Sequence, residues 1–130
     1  MIKQVIVMRK DLGMRKGKMI AQGAHASMKV FFDMMEKTDS DKYELDFGFE
    51  GGKQAQEWFE GIFTKICVSV DSEEELLKVF KYACDVDLPC AIILDNGKTE
   101  FGGVPTHTCC AIGPANSEDI DKITGDLKLL

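Results

Sequence analysis

Lysine, glutamine and histidine recur at Lys18, Gln22, His25 and Lys29, with intervals of four, three and four residues. A helix advances about 100° per residue, so these intervals return to one face and gather the four side chains in a polar stripe. The rest of the segment is apolar or small. Ile20, Ala21, Ala24, Met28, Phe31 and Phe32 cover one flank, while Gly23, Ala26 and Ser27 would let backbone or a ligand come close. Such a stripe suits the wall of a cleft, where an imidazole can move a proton and an ammonium can stabilise negative charge. A solvated stripe with a satisfied histidine would share the pattern. Gly17, just before Lys18, also sets the positive end of the helix beside a basic loop, an arrangement suited to phosphate.

A second candidate is the loop Asp95-Asn96-Gly97-Lys98-Thr99-Glu100, which follows the apolar run Cys90–Leu94. In α/β sheets the carboxyl ends of strands are where ligand loops collect. Its Gly-Lys-Thr is not a nucleoside-triphosphate loop, because Ile92 stands where the first glycine is required, and Gly17-Lys18 fails likewise with Leu12. No Gly-x-Ser-x-Gly elbow is present. Five cysteines, with no Cys-x-x-Cys pair, argue against a disulfide framework or a zinc site. Cys109 and Cys110 would point to opposite faces of a strand, so core packing is expected there and no metal.

These candidates need a scaffold. Val5–Met8 reads as a buried strand, Gly17 to about Met35 as a long helix, and residues 36–53 as an exposed connection or insertion without period. Gln54–Glu60 would be a short helix presenting Trp58, and Phe63–Val70 a second strand. Ser72 and Glu75 form a capping box for a helix running to about Val86, ended by Pro89. Cys90–Leu94 and Thr108–Ile112 complete the strands, with Gly113-Pro114 stopping the last, and a final helix runs from Asn116 or Ser117 to before Gly125. The order implies a three-layer α/β/α sandwich with a mixed sheet of four or five strands. With 130 residues, 45% hydrophobic and 29% charged, the chain is expected to be one domain, 1–130, without repeats or linkers. No apolar run approaches the roughly 20 residues of a membrane span or a signal core, which leads us to expect a cytoplasmic protein with no membrane association.

The net charge of −6 argues against nucleic acid, but its distribution does not. Residues 1–30 hold seven bases against Asp11 alone, whereas the remainder holds nine bases and 21 acids. A single positive patch on an acidic body would admit anions only there.

Together the segments Val5-Ile6-Val7-Met8-Arg9, Lys16-Gly17-Lys18 with Ala21-Gln22 and His25-Ala26, Trp58 with Gly61, Asp95 with Gly97 and Thr99, Thr108 with Ala111-Ile112-Gly113-Pro114, and Ile120–Gly125 with Leu127-Lys128-Leu129 resemble the archaeal and eukaryotic type of peptidyl-tRNA hydrolase. The resemblance implies an α/β sandwich that is commonly a homodimer, and hydrolysis of the ester joining a peptide to the terminal ribose of tRNA without cofactor. It implies a catalytic set of Lys18, Gln22, His25, Asp95, Thr99 and Thr108, with either Asp95 or His25 handling the water. Arg9, Lys10, Arg15, Lys16 and Lys98 would then meet tRNA phosphates. Asn96, Lys98 and Glu100 stand where the family has alanine, arginine and glutamine. These departures motivate an alternative, a non-catalytic tRNA-binding or protein-interaction module on the same fold.

Overall fold

The computed structural model describes residues 1–98 and 100–130. In chain order its elements are β1 (Ile2–Arg9), α1 (Lys16–Met34), β2 (Met35–Asp39), β3 (Lys42–Leu45), α2 (Gly52–Glu60), β4 (Lys65–Val70), α3 (Glu73–Asp85), β5 (Cys90–Asp95), β6 (Thr106–Asn116) and α4 (Ser117–Thr124). Four strands form one mixed sheet in the order β4-β1-β6-β5, with β1 parallel to β4 and antiparallel to β6, and β5 antiparallel to β6. The chain is an α/β sandwich, as its element order implies. None of the described helices is long and apolar enough to cross a membrane.

The period-two alternation of β1 divides the core. Val5 and Val7 pack with Val68, Val70, Cys110 and Ile112 against Leu76 and Ala83 of α3 and Ile120 of α4. Ile6 and Met8 pack with Ala91, Ile93, Cys109 and Ala111 against Ala26 and Val30 of α1. A strand covered on both faces reads as an unbroken apolar run, which is how Val5–Met8 at the middle of β1 reads. Its charged ends are held on the α3/α4 face. Lys3 donates to Asp121 at 2.6 Å, and Arg9 sits bidentate on Asp11 at 2.6 and 3.1 Å with Glu73 3.6 Å away.

Several boundaries differ from the sequence reading for identifiable reasons. Residues 36–53 carry a hairpin, β2 paired with β3, where no period was visible. Both faces of this hairpin are largely exposed, so no apolar alternation marks it. β4 begins at Lys65 rather than Phe63, whose φ of 41° is incompatible with extended backbone. Ser72 does cap the Glu75 N–H at 3.0 Å, but Glu75 answers on the Asp71 N–H. α3 ends at Asp85 by its own geometry: Asp87 takes φ 59°, and the N–H groups of Asp87 and Leu88 close on the carbonyls of Cys84 and Ala83. That Schellman turn, rather than Pro89, terminates the helix.

β6 does not stop at Gly113-Pro114 but continues to Asn116. Its pairing with β1 slips between Lys3 and Val5, so the proline, which has no N–H, falls in an irregular part of the ladder that asks for none. Gly113 is required there, because a Cβ would lie 2.5 Å from the Lys3 carbonyl oxygen. At the outer edge of β4, Leu129 forms a single bridge to Val68, and Leu130 donates to the Cys67 carbonyl at 3.1 Å.

A buried polar knot joins β1, α1 and β6. Ser27 Oγ donates to Gln4 Oε1 at 2.5 Å, and Gln4 Nε2 donates to the carbonyls of Gly113 and Ser27 at 3.2 and 3.4 Å. Gln4→Leu keeps the volume and strands these partners, so urea unfolding should show a loss of about 2–4 kcal/mol. Adding Ser27→Ala should restore part of it. A Gln4→Leu protein as stable as the parent would show that the knot contributes nothing.

Candidate active site

The site forms where the end of β5 faces the first turns of α1. In the β5–β6 ladder Ile93 pairs with Cys109 but Leu94 pairs with His107, leaving Thr108 as an extra residue. Such a bulge re-aims a side chain. Thr108 and Cys109 both turn toward α1, Thr108 donating to Gln22 Oε1 at 2.5 Å and Cys109 to the Gln22 carbonyl at 3.2 Å. With its oxygen so engaged, the Gln22 amide presents its nitrogen to Asp95 Oδ1, 3.2 Å away. Lys18 Nζ reaches the same oxygen at 3.1 Å, and the Gly97 N–H donates to Oδ2 at 3.0 Å. Gln22 and Thr108 are fully buried; the Lys18 and Asp95 side chains keep 13% and 12% exposure, enough to meet a ligand at the surface.

The geometry of this cluster sets its electrostatics. Burial by itself would raise the Asp95 carboxyl, but the Lys18 ammonium, the Gly97 N–H and the Gln22 amide outweigh it and hold the group below its usual value. The ring of Phe101 lies 5.7 Å from the Lys18 nitrogen and adds a cation–π contact. The neighbouring thiol of Cys109 is pushed up to about 11 by burial, which keeps it protonated and inert.

The structure therefore brings together Lys18, Gln22, Asp95 and Thr108. His25 lies on the same helix, exposed, and makes no hydrogen bond among the described residues. Thr99 lies outside the described residues. Among the residues expected to meet phosphate, Lys10, Arg15, Lys16 and Lys98 are exposed. Arg9 is not. It is buried beneath the other face of the sheet, bound to Asp11 and to the His107 carbonyl at 3.1 Å, because its position in β1 places it two residues beyond Val7 on the α3 side. Phe101 escaped the sequence reading, and Gly97, named there beside Asp95, was given no role for its N–H; an aromatic residue inside an otherwise polar, glycine-rich loop was the available signal for the first.

The depressed Asp95 value has a definite sign. Because the folded-state value lies below the unfolded one, ionised Asp95 contributes stability above the unfolded value, and the contribution is lost as pH falls through the folded value. Replacing Lys18 with Met removes the ammonium and should move the Asp95 titration upward, as read by carboxyl-carbon NMR. The acid loss of stability should begin at higher pH in the same variant. An unmoved titration would assign the depression to Gly97 and Gln22 alone.

A family model described as Peptidyl-tRNA hydrolase PTH2 matches residues 2–130. A peptidyl-tRNA hydrolase of Methanocaldococcus jannaschii is 43% identical over 129 residues, covering 99% of this chain and 100% of its own length. Another, from Sulfurisphaera tokodaii, is 44% identical over 128 residues and 98% of each chain. A solved structure of a protein of unknown function from Agrobacterium tumefaciens superposes with a TM-score of 0.58 over 98% of this chain and 96% of its own, and at 12% identity it speaks to the fold alone. The family match runs almost from end to end and takes in every residue gathered around Asp95: the chain belongs to the peptidyl-tRNA hydrolase PTH2 family.

Proposed function

We propose that the protein hydrolyses the ester between a peptide, or an N-blocked amino acid, and the 3′-terminal ribose of tRNA, freeing the tRNA for reuse. The observation that carries this reading is the Asp95 carboxylate, fixed by Lys18, Gln22 and Gly97 where the end of β5 faces α1. A carboxylate held ionised is a weak base near neutrality but a strong acceptor, so Asp95 serves to orient the attacking water. The water oxygen bonds to the ester carbon, and the charge that develops on the carbonyl oxygen falls beside Lys18. Collapse breaks the bond to the ribose oxygen, which takes up the proton lost by the water. Gln22, locked by Thr108, keeps Asp95 and the water in one orientation. His25, exposed at the rim, contributes less.

Asp95→Asn preserves size and removes the charge. Single-turnover cleavage of N-acetylated aminoacyl-tRNA at saturating enzyme should fall by at least about 100-fold, while His25→Ala should cost less than about tenfold. A near-normal rate for Asp95→Asn would remove Asp95 from catalysis and leave His25 as the group handling water. The non-catalytic module is not favoured; absence of ester cleavage by the unaltered protein, with tRNA binding retained, would restore it.

The same reading places the protein in the cytoplasm, where peptidyl-tRNA arises, as one domain with an exposed insertion at about residues 36–53, which takes in most of the β2–β3 hairpin. It also suggests a homodimer, for which Ile20, Met28 and Phe32 of α1 with Phe59 and Phe63 supply exposed apolar surface. Sedimentation should then give twice the 14.5 kDa chain mass, and Met28→Asp should return it to the monomer value.

A further inference from the structure

Among the described residues, the loop after Asp95 is fastened to the start of α1 at two points. Phe101 lies against Lys18, and its neighbour Glu100 accepts a hydrogen bond from Arg15 Nε at 3.1 Å. The two partners of this ion pair differ in setting. The Arg15 side chain is 87% exposed and free to swing, whereas Glu100 keeps only 17% exposure and is held by its loop. That loop is closed on itself, with the Gly103 N–H on the Gly97 carbonyl and the Val104 N–H on that of Phe101. The pair is fixed on the Glu100 side and open on the Arg15 side, so a phosphate that reaches the exposed guanidinium competes with Glu100 for it. When Arg15 leaves, Glu100 stays behind as an uncompensated carboxylate.

We propose that Glu100 is a specificity-determining residue for the polyanionic substrate. In the free protein its carboxylate occupies the position on Arg15 that a tRNA phosphate must take. A small anion has only Arg15 to gain and does not displace it. A tRNA already held through Lys10 and Lys16, both exposed, brings a phosphate to Arg15 at high local concentration and displaces Glu100. Glu100 therefore lowers affinity for every anion at this subsite and lowers it least for one anchored elsewhere. The proposal rests on the tRNA reading above.

The test is a double-mutant cycle in tRNA binding, with deacylated tRNA as the probe and a salt series for each protein. The four proteins are the parent, Glu100→Gln, Arg15→Ala and the double variant. Glu100→Gln should tighten binding at least about threefold at low salt, because Arg15 no longer has a competing carboxylate. Its slope of log K against log salt should steepen by up to about 0.9, the value of one phosphate contact. In the Arg15→Ala background the same substitution should change affinity by less than twofold. An equal gain in both backgrounds would overturn the proposal, since Glu100 would then act only as diffuse negative charge. Unchanged or weaker binding by Glu100→Gln would overturn it too, the latter identifying the pair as a strap that shapes the loop. If the parent and all variants fail to bind tRNA, the functional reading itself falls and the competition with it; binding by the parent keeps the two failures distinct.

Discussion

One extra residue in the β5–β6 ladder decides how the site is built. Without the bulge, Thr108 would alternate onto the face that holds Cys110, on the far side of the sheet from Gln22. Gln22 would then keep a buried carbonyl oxygen with no donor, a costly state that a side-chain flip would only transfer to its nitrogen. The bulge removes that choice. By donating to Oε1, Thr108 makes the Gln22 nitrogen the end that faces Asp95. The direction of the Gln22–Asp95 hydrogen bond thus follows from the hydroxyl of one bulged threonine, while Lys18 and the Gly97 N–H can only donate.

The ion pair this orders is of a kind that burial usually makes expensive. Two charges taken from water must recover their hydration from each other and from further hydrogen bonds. Asp95 does so with donors on both oxygens, from Lys18, Gln22 and Gly97. The remaining exposure of Lys18 and Asp95 limits the desolvation and leaves a route for a ligand. Preorganisation of this sort means the groups need little rearrangement when negative charge appears in the reaction.

Helical period was enough to place Lys18 and Gln22 on one face, and the apolar run before Asp95 was enough to set it at a strand end. The sequence could not show how far that face extends. His25 follows the same period, yet the loop after β5 covers only the first turns of α1, so the histidine remains outside the hydrogen-bonded cluster. Charge counting misled in a similar way. Of the seven bases in the first 30 residues, Lys3, Arg9, Arg15, Lys18 and Lys29 are engaged by acids, and among the described residues Lys10 and Lys16 are left with no ion pair. Composition records that the charges exist, whereas tertiary contacts decide which of them a ligand meets. The strand continuing past Gly113-Pro114 was hidden for a different reason: a proline in a ladder is permitted only by a local slip, and the slip depends on the partner strand.

The two ion pairs at the ends of β1 bear on how the chain avoids mispairing as it folds. Lys3 and Arg9 lie six residues apart on one face, with Val5 and Val7 between them, and each meets an acid from the α3/α4 layer or the loop beside it. If the central strand slid by one residue against β4 or β6, both cations would turn toward α1. There they would lie against the apolar cluster of Ile93, Ala91 and Val30, away from Asp11, Glu73 and Asp121, which hold them on the other face. An apolar strand of Val, Ile and Met alone would tolerate either face. The buried charges make the wrong alignment unstable at both ends at once, so a central strand buried along nearly its whole length is also one whose placement is unambiguous.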